Sequence, residues 1–206
     1  MSGTGRLHYV SGDATSVTNG NGPKIVVHVC NDIGAWGKGF VMAVSSKWPG
    51  VKKKYKTWHK KGATKGFRLG AVQMVAVTKA MCANAPAHNA LRSASYRLVV
   101  ANLIGQRGIR RGRNMTPIKY EAVEEGLHAI GDYATQIQCS SESSIEDRSA
   151  ISRSPPQPQF AAGSPSLHMP RIGCGLAGGS WSQIEKIILK TLDTFPTLHA
   201  YVYDLP

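Results

Sequence analysis

A chain of 206 residues, 42% hydrophobic and 18% charged, can bury a sizeable core, and we expect it to fold as one domain. It has no apolar run near the roughly 18 residues of a membrane span, and its first residues lack the apolar core of a secretion signal. The four cysteines form no CxxC pair, and no two of the seven histidines are spaced as metal ligands. We therefore expect an intracellular protein, cytoplasmic or nuclear, without a disulfide framework, metal site or membrane contact.

The net charge of +13 is unevenly distributed along the chain. No acidic residue lies between Ile33 and Tyr120, whereas 18 of the 25 lysines and arginines do. The densest parts are the tract 47–65, KWPGVKKKYKTWHKKGATK, and residues 106–119, QRGIRRGRNMTPIK. A field of this sign attracts polyanions. Two interpretations stay open for the tract: a solubilising face, or a surface that contacts a polyanion.

The first half of the chain alternates between strand-like and helix-like patterns. RLHYVSGDA predicts a strand that ends in a Gly-Asp turn, and KIVVHVC is the continuous apolar run of a strand buried on both faces. FVMAVSSKW predicts a helix ending at Pro49, and the spacing of Val51, Tyr55 and Trp58 predicts a further helix. LGAVQMVAV and RLVVANLIG predict two more strands, and we expect residues 79–95 between them to be irregular.

The second half continues this alternation. A helix is predicted from Thr116, its cap, with Pro117 in the first position. Residues 139–166 are rich in Ser, Pro and Gln without periodicity, which predicts a disordered insertion. SLHMPRI predicts a strand, SWSQIEKIILKTL a helix with a Ser180/Gln183 capping box, and HAYVYDL a last strand. The order of these elements indicates an α/β fold with helices on both faces of a sheet. The helix that follows Thr116 carries one apolar stripe, formed by Val123, Leu127, Ile130, Ala134 and Ile137.

Ligands of such sheets bind beyond the carboxyl ends of the strands, where one loop is unusually rich in glycine. MPRIGCGLAGGSW places a GxGxxG pattern between a strand and a helix. Too little chain follows for the second half of a dinucleotide-binding fold. Glycines nevertheless let backbone N–H groups approach a phosphate, and a helix starting near Ser180 offers its positive end. The alternative is a simple helix-capping turn.

Two further loops carry candidate binding residues. CNDIGAWGKGF is a second glycine-rich loop, in which Asn31 and Asp32 are placed to bond ribose hydroxyls, unless it is only a flexible turn. SGDAT places Asp13 at a strand end, where a carboxylate can accept from an adenine amino group or simply stabilise a turn. Cys174 has no evident His partner, which favours a small residue in a tight turn over a nucleophile. Two glycine loops at one edge favour a phosphate-bearing ligand.

The motifs SGDAT, VVHVCNDIGAWGKGF, VVANLIGQRG and MPRIGCGLAGGSW, closed by VYDL, resemble those of the macrodomain family. They are most similar to the class that includes the terminal ADP-ribose protein glycohydrolase and the ADP-ribose-1″-phosphate phosphatases. The resemblance covers residues 7–78, 96–138 and 167–205. It implies a single macrodomain over residues 1–206, a three-layer αβα sandwich with a mixed six-stranded sheet.

The resemblance also implies a ligand, ADP-ribose, in a cleft across the strand ends. Asp13 would meet the adenine amino group, the loop 31–40 would wrap the distal ribose, and the backbone of residues 172–179 would hold the diphosphate. We expect a monomer without a cofactor, whose partner is ADP-ribose or a mono-ADP-ribosylated protein, with poly(ADP-ribose) or RNA as the polyanion for the basic tract. The expected ligand contacts are Gly12, Asp13, Ala14, Asn31, Asp32, Gly37, Lys38, Gly39, Phe40, Gly105, Gln106, Arg171, Ile172, Gly173, Cys174, Gly175, Leu176, Ala177, Gly178, Gly179 and Tyr203.

The chain departs from the family at the catalytic positions. The glycohydrolase uses a lysine nucleophile in the loop after LI, where this chain has Gln106, and an acid where it has Ala177. A covalent lysine–ribose intermediate is therefore not expected. The candidate catalytic residues are Asp32, as a base, and Gln106, which can orient a water. Three functions stay open: hydrolysis of ADP-ribose esters of Asp and Glu in modified proteins, binding as a reader without chemistry, and phosphatase action on ADP-ribose 1″-phosphate.

Overall fold

The computed structural model describes residues 3–78, 98–110, 116–146 and 163–205. Within these ranges, no helix combines the length and the hydropathy that a membrane span requires. Its strands form one six-stranded sheet in the order β1-β6-β5-β2-β4-β3. The strands are β1 Leu7–Ser11, β2 Lys24–Asn31, β3 Val72–Ala76, β4 Leu98–Gln106, β5 Ser166–Pro170 and β6 His199–Asp204, and the α-helices are α1 Val41–Lys47, α2 Pro49–Lys61, α3 Tyr120–Glu146 and α4 Trp181–Thr194.

The sheet lies between two helical layers. β3 pairs antiparallel with β4 and the other neighbours pair in parallel, so the sheet is mixed. Ile25 and Val27 belong to a core with α3 and α4, whereas Val26, between them in β2, belongs to a core with α1 and α2. This follows from the alternation of side chains along a strand. The predicted three-layer αβα sandwich is confirmed, and so is burial of β2 on both faces.

The predicted start of α3 is wrong, whereas α4 begins directly after Ser180 as predicted. α3 begins at Tyr120 rather than after Thr116, because Ile118 bridges Gln106 and the Lys119 N–H donates to the Gly105 carbonyl, which keeps this stretch extended along β4. At α4 the predicted capping box does not form: the Ser180 hydroxyl bonds that of Ser182 instead. The apolar stripe of α3, by contrast, is buried as predicted, with Val123, Leu127, Ile130, Ala134 and Ile137 all in the core.

The predicted insertion 139–166 is wrong at both ends. Residues 139–146 continue α3, and Ser166 already belongs to β5. The stretch CSSESSIE contains neither Pro nor Gly, so nothing in it breaks the helix. Residues 147–162 and the segment 79–95 lie outside the described residues, and the predictions made for them stay predictions.

Two buried histidines lie on strands behind the candidate site. His28 contacts Asn102 at 2.6 Å through Nε2, and His168 lies 2.9 Å from both Ser166 Oγ and Tyr203 Oη. Burial lowers the pKa of His28 to about 4, and burial together with the charge of Lys24 lowers the pKa of His168 to about 3. Both imidazoles are therefore neutral in the folded protein at pH 7 and pH 5.

Acid should destabilise the protein through these two side chains. An unfolded histidine takes up a proton near pH 6.5, whereas the folded ones resist it, so their contribution to stability is full above pH 6.5 and is lost as the pH falls towards 4. We expect the free energy of unfolding to fall by about 2 kcal/mol per histidine between pH 7 and pH 5. Urea titrations at both pH values measure the change. Equal stability at the two pH values would show that the imidazoles are not buried in the neutral form.

Candidate ligand-binding site

The glycine loops meet at the carboxyl edge of the sheet. Loop 31–40 follows β2 and loop 171–180 follows β5, two parallel neighbours, so both leave the sheet at the same edge. A Cβ added to Gly39 would lie 3.5 Å from Leu176 Cδ1. This contact joins two loops that are more than 130 residues apart in the sequence. The predicted ribose and diphosphate segments therefore lie side by side at this edge.

Glycine has two different explanations in loop 171–180. Gly173 and Gly178 have φ of +73° and +72°, and a Cβ on Gly179 would lie 2.8 Å from the Gly173 carbonyl oxygen, so the turn itself requires them. At Gly175, in contrast, an added Cβ meets no atom of the described residues within 4 Å, and φ is not positive. The same holds for the space around Gly37 in the other loop. Within the described part of the chain, contacts of a Cβ do not explain why these two positions are glycine.

The backbone of this loop is partly engaged with itself. The N–H of Gly179 donates to the Gly173 carbonyl at 2.8 Å, that of Gly178 to Gly175 at 3.1 Å, and that of Cys174 to Arg171 at 3.3 Å. The loop is thereby held rigid ahead of α4. It also follows that fewer amides face a ligand than the sequence suggested, because these three already have acceptors.

Asn31 holds loop 31–40 together from inside. Its side-chain Nδ2 donates to the Ala35 carbonyl at 2.7 Å, and its Oδ1 accepts from the N–H groups of Ala35 and Ile33. Tyr55 of α2 donates to the Asn31 carbonyl at 2.7 Å, and Asn31 itself is 8% exposed. The amide that was expected to bond a ribose hydroxyl thus shapes the loop, while Lys38 and Gly39 lie on its exposed side.

Asn31→Ala should therefore loosen the loop. It removes the three hydrogen bonds of a buried side chain, a loss of about 1–3 kcal/mol. Asn31→Asp is a second variant: it keeps the two acceptor contacts but places a carboxylate oxygen against the Ala35 carbonyl, so it tests the donor contact. Urea unfolding should show both variants less stable than wild type. Equal stability of the alanine variant and wild type would contradict the role we give to this side chain.

The candidate catalytic side chains converge on one glycine. Asp32 Oδ1 accepts from the Gly108 N–H at 2.7 Å, and Gln106 Nε2 donates to the Gly108 carbonyl at 2.8 Å. No hydrogen bond between described residues uses Asp32 Oδ2 or Gln106 Oε1. The pair thus presents two oxygen acceptors at the adjacent ends of β2 and β4. Ala177, at the family's acid position, is 5% exposed and carries no chemistry.

A bulge places this pair. Cys30 pairs with Ile104 but Asn31 pairs with Gln106, so Gly105 is the extra residue in β4. A Cβ on Gly105 would come within 2.9 Å of Val123 Cγ2, and packing explains why this position is glycine. Bulges of this kind redirect the side chains that follow them. Gly105 therefore shapes the site from within the sheet.

The predicted adenine end is exposed and well ordered by hydrogen bonds. The Asp13 carboxylate accepts from the Thr15 N–H at 2.8 Å and from its hydroxyl at 2.7 Å, which fixes the group at the surface. Ala14 beside it is 2% exposed, and the Gly12 N–H donates to the Asp204 carbonyl. The carboxylate retains lone pairs for a further donor.

Two predicted contacts are engaged elsewhere. The Tyr203 hydroxyl lies 3.0 Å from Asn19 Nδ2 and 2.9 Å from His168 Nδ1, and Tyr203 is 5% exposed. Its hydroxyl therefore holds the loop after β1, through Asn19, and is not presented to a ligand. Arg171 forms a bidentate ion pair with Asp204, at 2.7 and 2.8 Å, and lies over the Trp181 ring. Sequence analysis missed the Arg171–Asp204 pair, and it missed Gly108 as the anchor of Asp32.

These features define a class of α/β protein in which two glycine-rich loops lie side by side at the carboxyl edge of a mixed sheet. No family model matches the sequence. Among solved structures, the chain is 36% identical to a protein of unknown function from Bacteroides thetaiotaomicron, with a TM-score of 0.69 and coverage of 96% of this chain and 97% of that one. It is 35% identical to a macrodomain protein from Streptomyces coelicolor, with a TM-score of 0.63 and coverage of 96% and 98%.

A more distant structure shares the fold. Thermosipho africanus DarTG, solved in complex with ADP-ribose, is 19% identical, with a TM-score of 0.60 and coverage of 100% of this chain and 43% of that one. The similarity to the Streptomyces protein over nearly the full length of both chains decides the family. The chain belongs to the macrodomain family, as its motifs predicted.

Proposed function

We propose that this protein binds ADP-ribose in the cleft between loops 31–40 and 171–180 and hydrolyses its ester linkage to Asp and Glu side chains of modified proteins. The observation that carries the proposal is the pair of open glycines, Gly37 and Gly175, one on each side of the cleft. A position that needs no glycine for its own fold, yet lacks a side chain, leaves room for a ligand to approach the backbone.

The surroundings of the cleft suit the parts of ADP-ribose. The diphosphate lies against loop 171–180 ahead of the N-terminus of α4, where backbone dipoles favour negative charge. The distal ribose lies under loop 31–40, and adenine donates its amino group to Asp13. The complex of DarTG with ADP-ribose, which shares the fold, supports this choice of ligand.

The proposed chemistry uses Asp32 and Gln106 on one water. A water that donates to Asp32 Oδ2 and Gln106 Oε1 directs its lone pair at C1″ of the ribose. As the C1″–O bond forms, Asp32 takes a proton from the water, and the bond from C1″ to the ester oxygen breaks with its electron pair leaving on the carboxylate. A carboxylate is a good leaving group, so positioning accounts for much of the rate. The products are free ADP-ribose and the unmodified side chain.

The direct test incubates the protein with a target that carries ADP-ribose on glutamate. Free ADP-ribose should appear in proportion to enzyme concentration, at a slow rate, whereas ADP-ribose linked to arginine through an N-glycoside should stay in place. Release no faster than in a no-enzyme control would rule out the hydrolase.

A reader module is the second candidate, and one observation favours it. Asp32 Oδ1 and Gln106 Nε2 are both committed to Gly108, and Ala177 supplies no acid, so the site has less chemical equipment than a glycohydrolase. A reader would bind ADP-ribose with the same residues and release nothing from the ester-linked target. The two candidates therefore separate in the assay above.

Adenine recognition gives a prediction at the other end of the ligand. Asp13→Ala removes the acceptor proposed for the adenine amino group, worth about 1.5–3 kcal/mol for a hydrogen bond to a charged group. Calorimetry should show that the affinity for ADP-ribose falls roughly tenfold or more. The affinity for ribose 5-phosphate should stay nearly unchanged, because that ligand lacks the amino group. Thr15→Val is the control, since it removes one of the two bonds that hold Asp13 without touching the acceptor. Equal weakening of both ligands would make Asp13 structural.

A further inference from the structure

The outer surface of α2 is almost entirely lysine. Its inner face is anchored by Val51 and Tyr55, both 0% exposed, whereas the lysines project from the rest of the helix. The ion pairs among described residues use Arg68, His128, Arg171 and Lys190, and none uses a lysine of α2. The exposed set, which we call the α2 lysine face, is Lys52, Lys53, Lys54, Lys60 and Lys61.

The lysines near the start of α2 oppose the stability of the helix, whereas Lys60 and Lys61 in its last turn suit the helix dipole. Lys52, Lys53 and Lys54 lie close to the N-terminus of α2, where the helix dipole is positive, and the first turn holds no acid. Lys56 lies four residues after Lys52 and four residues before Lys60, and like charges at this spacing on a helix repel each other. The buried anchors Val51 and Tyr55 allow the helix to tolerate the repulsion. An anionic partner would remove it.

We propose that the α2 lysine face docks the phosphodiester backbone of a single-stranded nucleic acid. Lys53 and Lys60, and likewise Lys54 and Lys61, lie seven residues apart on the same side of α2, about 10 Å along the helix axis, so that each pair can contact separate phosphates of one extended strand. Trp58 lies one turn from both Lys54 and Lys61 and is partly exposed, with its ring packed on Phe67 at 4.9 Å. Single-strand binding surfaces combine basic side chains with an aromatic ring on which a base stacks.

Helix α2 contacts loop 31–40 through residues next to the α2 lysine face. Lys56 Nζ donates to the Gly34 carbonyl at 2.6 Å, and the His59 ring lies against Gly34, so that an added Cβ there would come within 2.5 Å of it. A strand bound on α2 therefore lies beside loop 31–40. The inference goes beyond the proposed function and does not depend on it, because it concerns phosphates outside the cleft.

The test measures binding of a fluorescein-labelled 20-nucleotide oligouridylate by anisotropy over a series of salt concentrations. The variant Lys53→Ala/Lys60→Ala removes two charges that lie two turns apart on the lysine face, and Lys54→Ala/Lys61→Ala is a second such pair. The control for net charge is Lys186→Ala/Lys190→Ala, which removes two exposed lysines from α4, of which Lys190 pairs with Glu124. Circular dichroism establishes that each variant is folded.

We expect the α2 pairs to weaken binding about tenfold or more at low salt and the control pair by less than twofold. The slope of log K against log salt should become shallower by about 1.4 for each α2 pair, because each lost phosphate contact contributes about 0.7 on a single strand. ADP-ribose affinity, measured by calorimetry, should be unchanged in all variants, so failure here is distinct from failure of the cleft assignment.

Three results would overturn the proposal. The first is an oligouridylate affinity that does not fall with salt. The second is an equal loss in the control pair, which would show attraction by net charge alone. The third is displacement of the oligonucleotide by poly(ADP-ribose) at a much lower phosphate concentration, which would assign the α2 lysine face to that polymer instead.

Discussion

Gly175→Glu should abolish ADP-ribose binding without unfolding the protein. Its Cβ meets no atom of the described residues within 4 Å, so we expect the fold to accept the side chain, but the carboxylate then lies beside the proposed diphosphate. Two unit charges about 4 Å apart repel by about 4 kcal/mol at an effective dielectric constant of 20, which corresponds to a loss of roughly 10²- to 10³-fold in affinity. Calorimetry with ADP-ribose measures the loss, and the melting curve shows that folding is retained.

Two alanine variants bracket this result. Gly175→Ala adds only a Cβ that meets nothing within 4 Å, and it should keep the affinity within a few fold of wild type. Gly179→Ala forces a Cβ to 2.8 Å from the Gly173 carbonyl oxygen, and it should lower the melting temperature as well as the affinity. Wild-type affinity in Gly175→Glu would remove loop 171–180 from the phosphate site.

Asp32→Asn should lower the rate of ester hydrolysis by about 10²- to 10⁴-fold, the usual contribution of a general base. The asparagine oxygen still accepts from the Gly108 N–H, so the loop keeps its geometry while the base is lost. Single-turnover release of ADP-ribose measures the rate, and calorimetry should show affinity within a few fold of wild type. Gln106→Ala should also slow release more than it weakens binding, because it removes the acceptor proposed to orient the water.

An unchanged rate in Asp32→Asn would contradict its role as the base. Treatment with borohydride during turnover is a second check, since the proposed route forms no covalent adduct. A trapped adduct would show that a lysine attacks the ribose, and Lys38 on the exposed side of loop 31–40 would be the first to substitute.

The sheet was predictable because its signals are local. The continuous apolar run in β2 indicates burial on both faces, and the stripe on α3 follows helical spacing, so both survive in the structure. The start of α3 was not predictable from Thr116 and Pro117. It depends on hydrogen bonds from Lys119 and Arg107 that tie this stretch to β4, and these contacts exist only after the sheet has formed.

The site was predictable at the level of loops and less so at the level of side chains. Glycine content indicated loops 31–40 and 171–180, but not which glycines serve the turn and which, like Gly175, leave open space. Asn31 was predicted to contact the ligand because an amide side chain can bond ribose hydroxyls. Its hydrogen bonds to Ala35 form only when loop 31–40 has folded, so the sequence does not reveal them. Asp32 and Gln106 both reach Gly108 because of the bulge at Gly105, and no pattern in the neighbouring sequence predicts that bulge.

The most direct test of the account is an isothermal titration of the wild-type protein with ADP-ribose. A few charge-assisted bonds from the phosphate loop, together with the adenine and ribose contacts, support a micromolar complex, near −8 kcal/mol. We predict one binding site per chain with a dissociation constant in the micromolar range. The absence of saturable binding at millimolar ADP-ribose, with the protein folded, would contradict the assignment of the cleft.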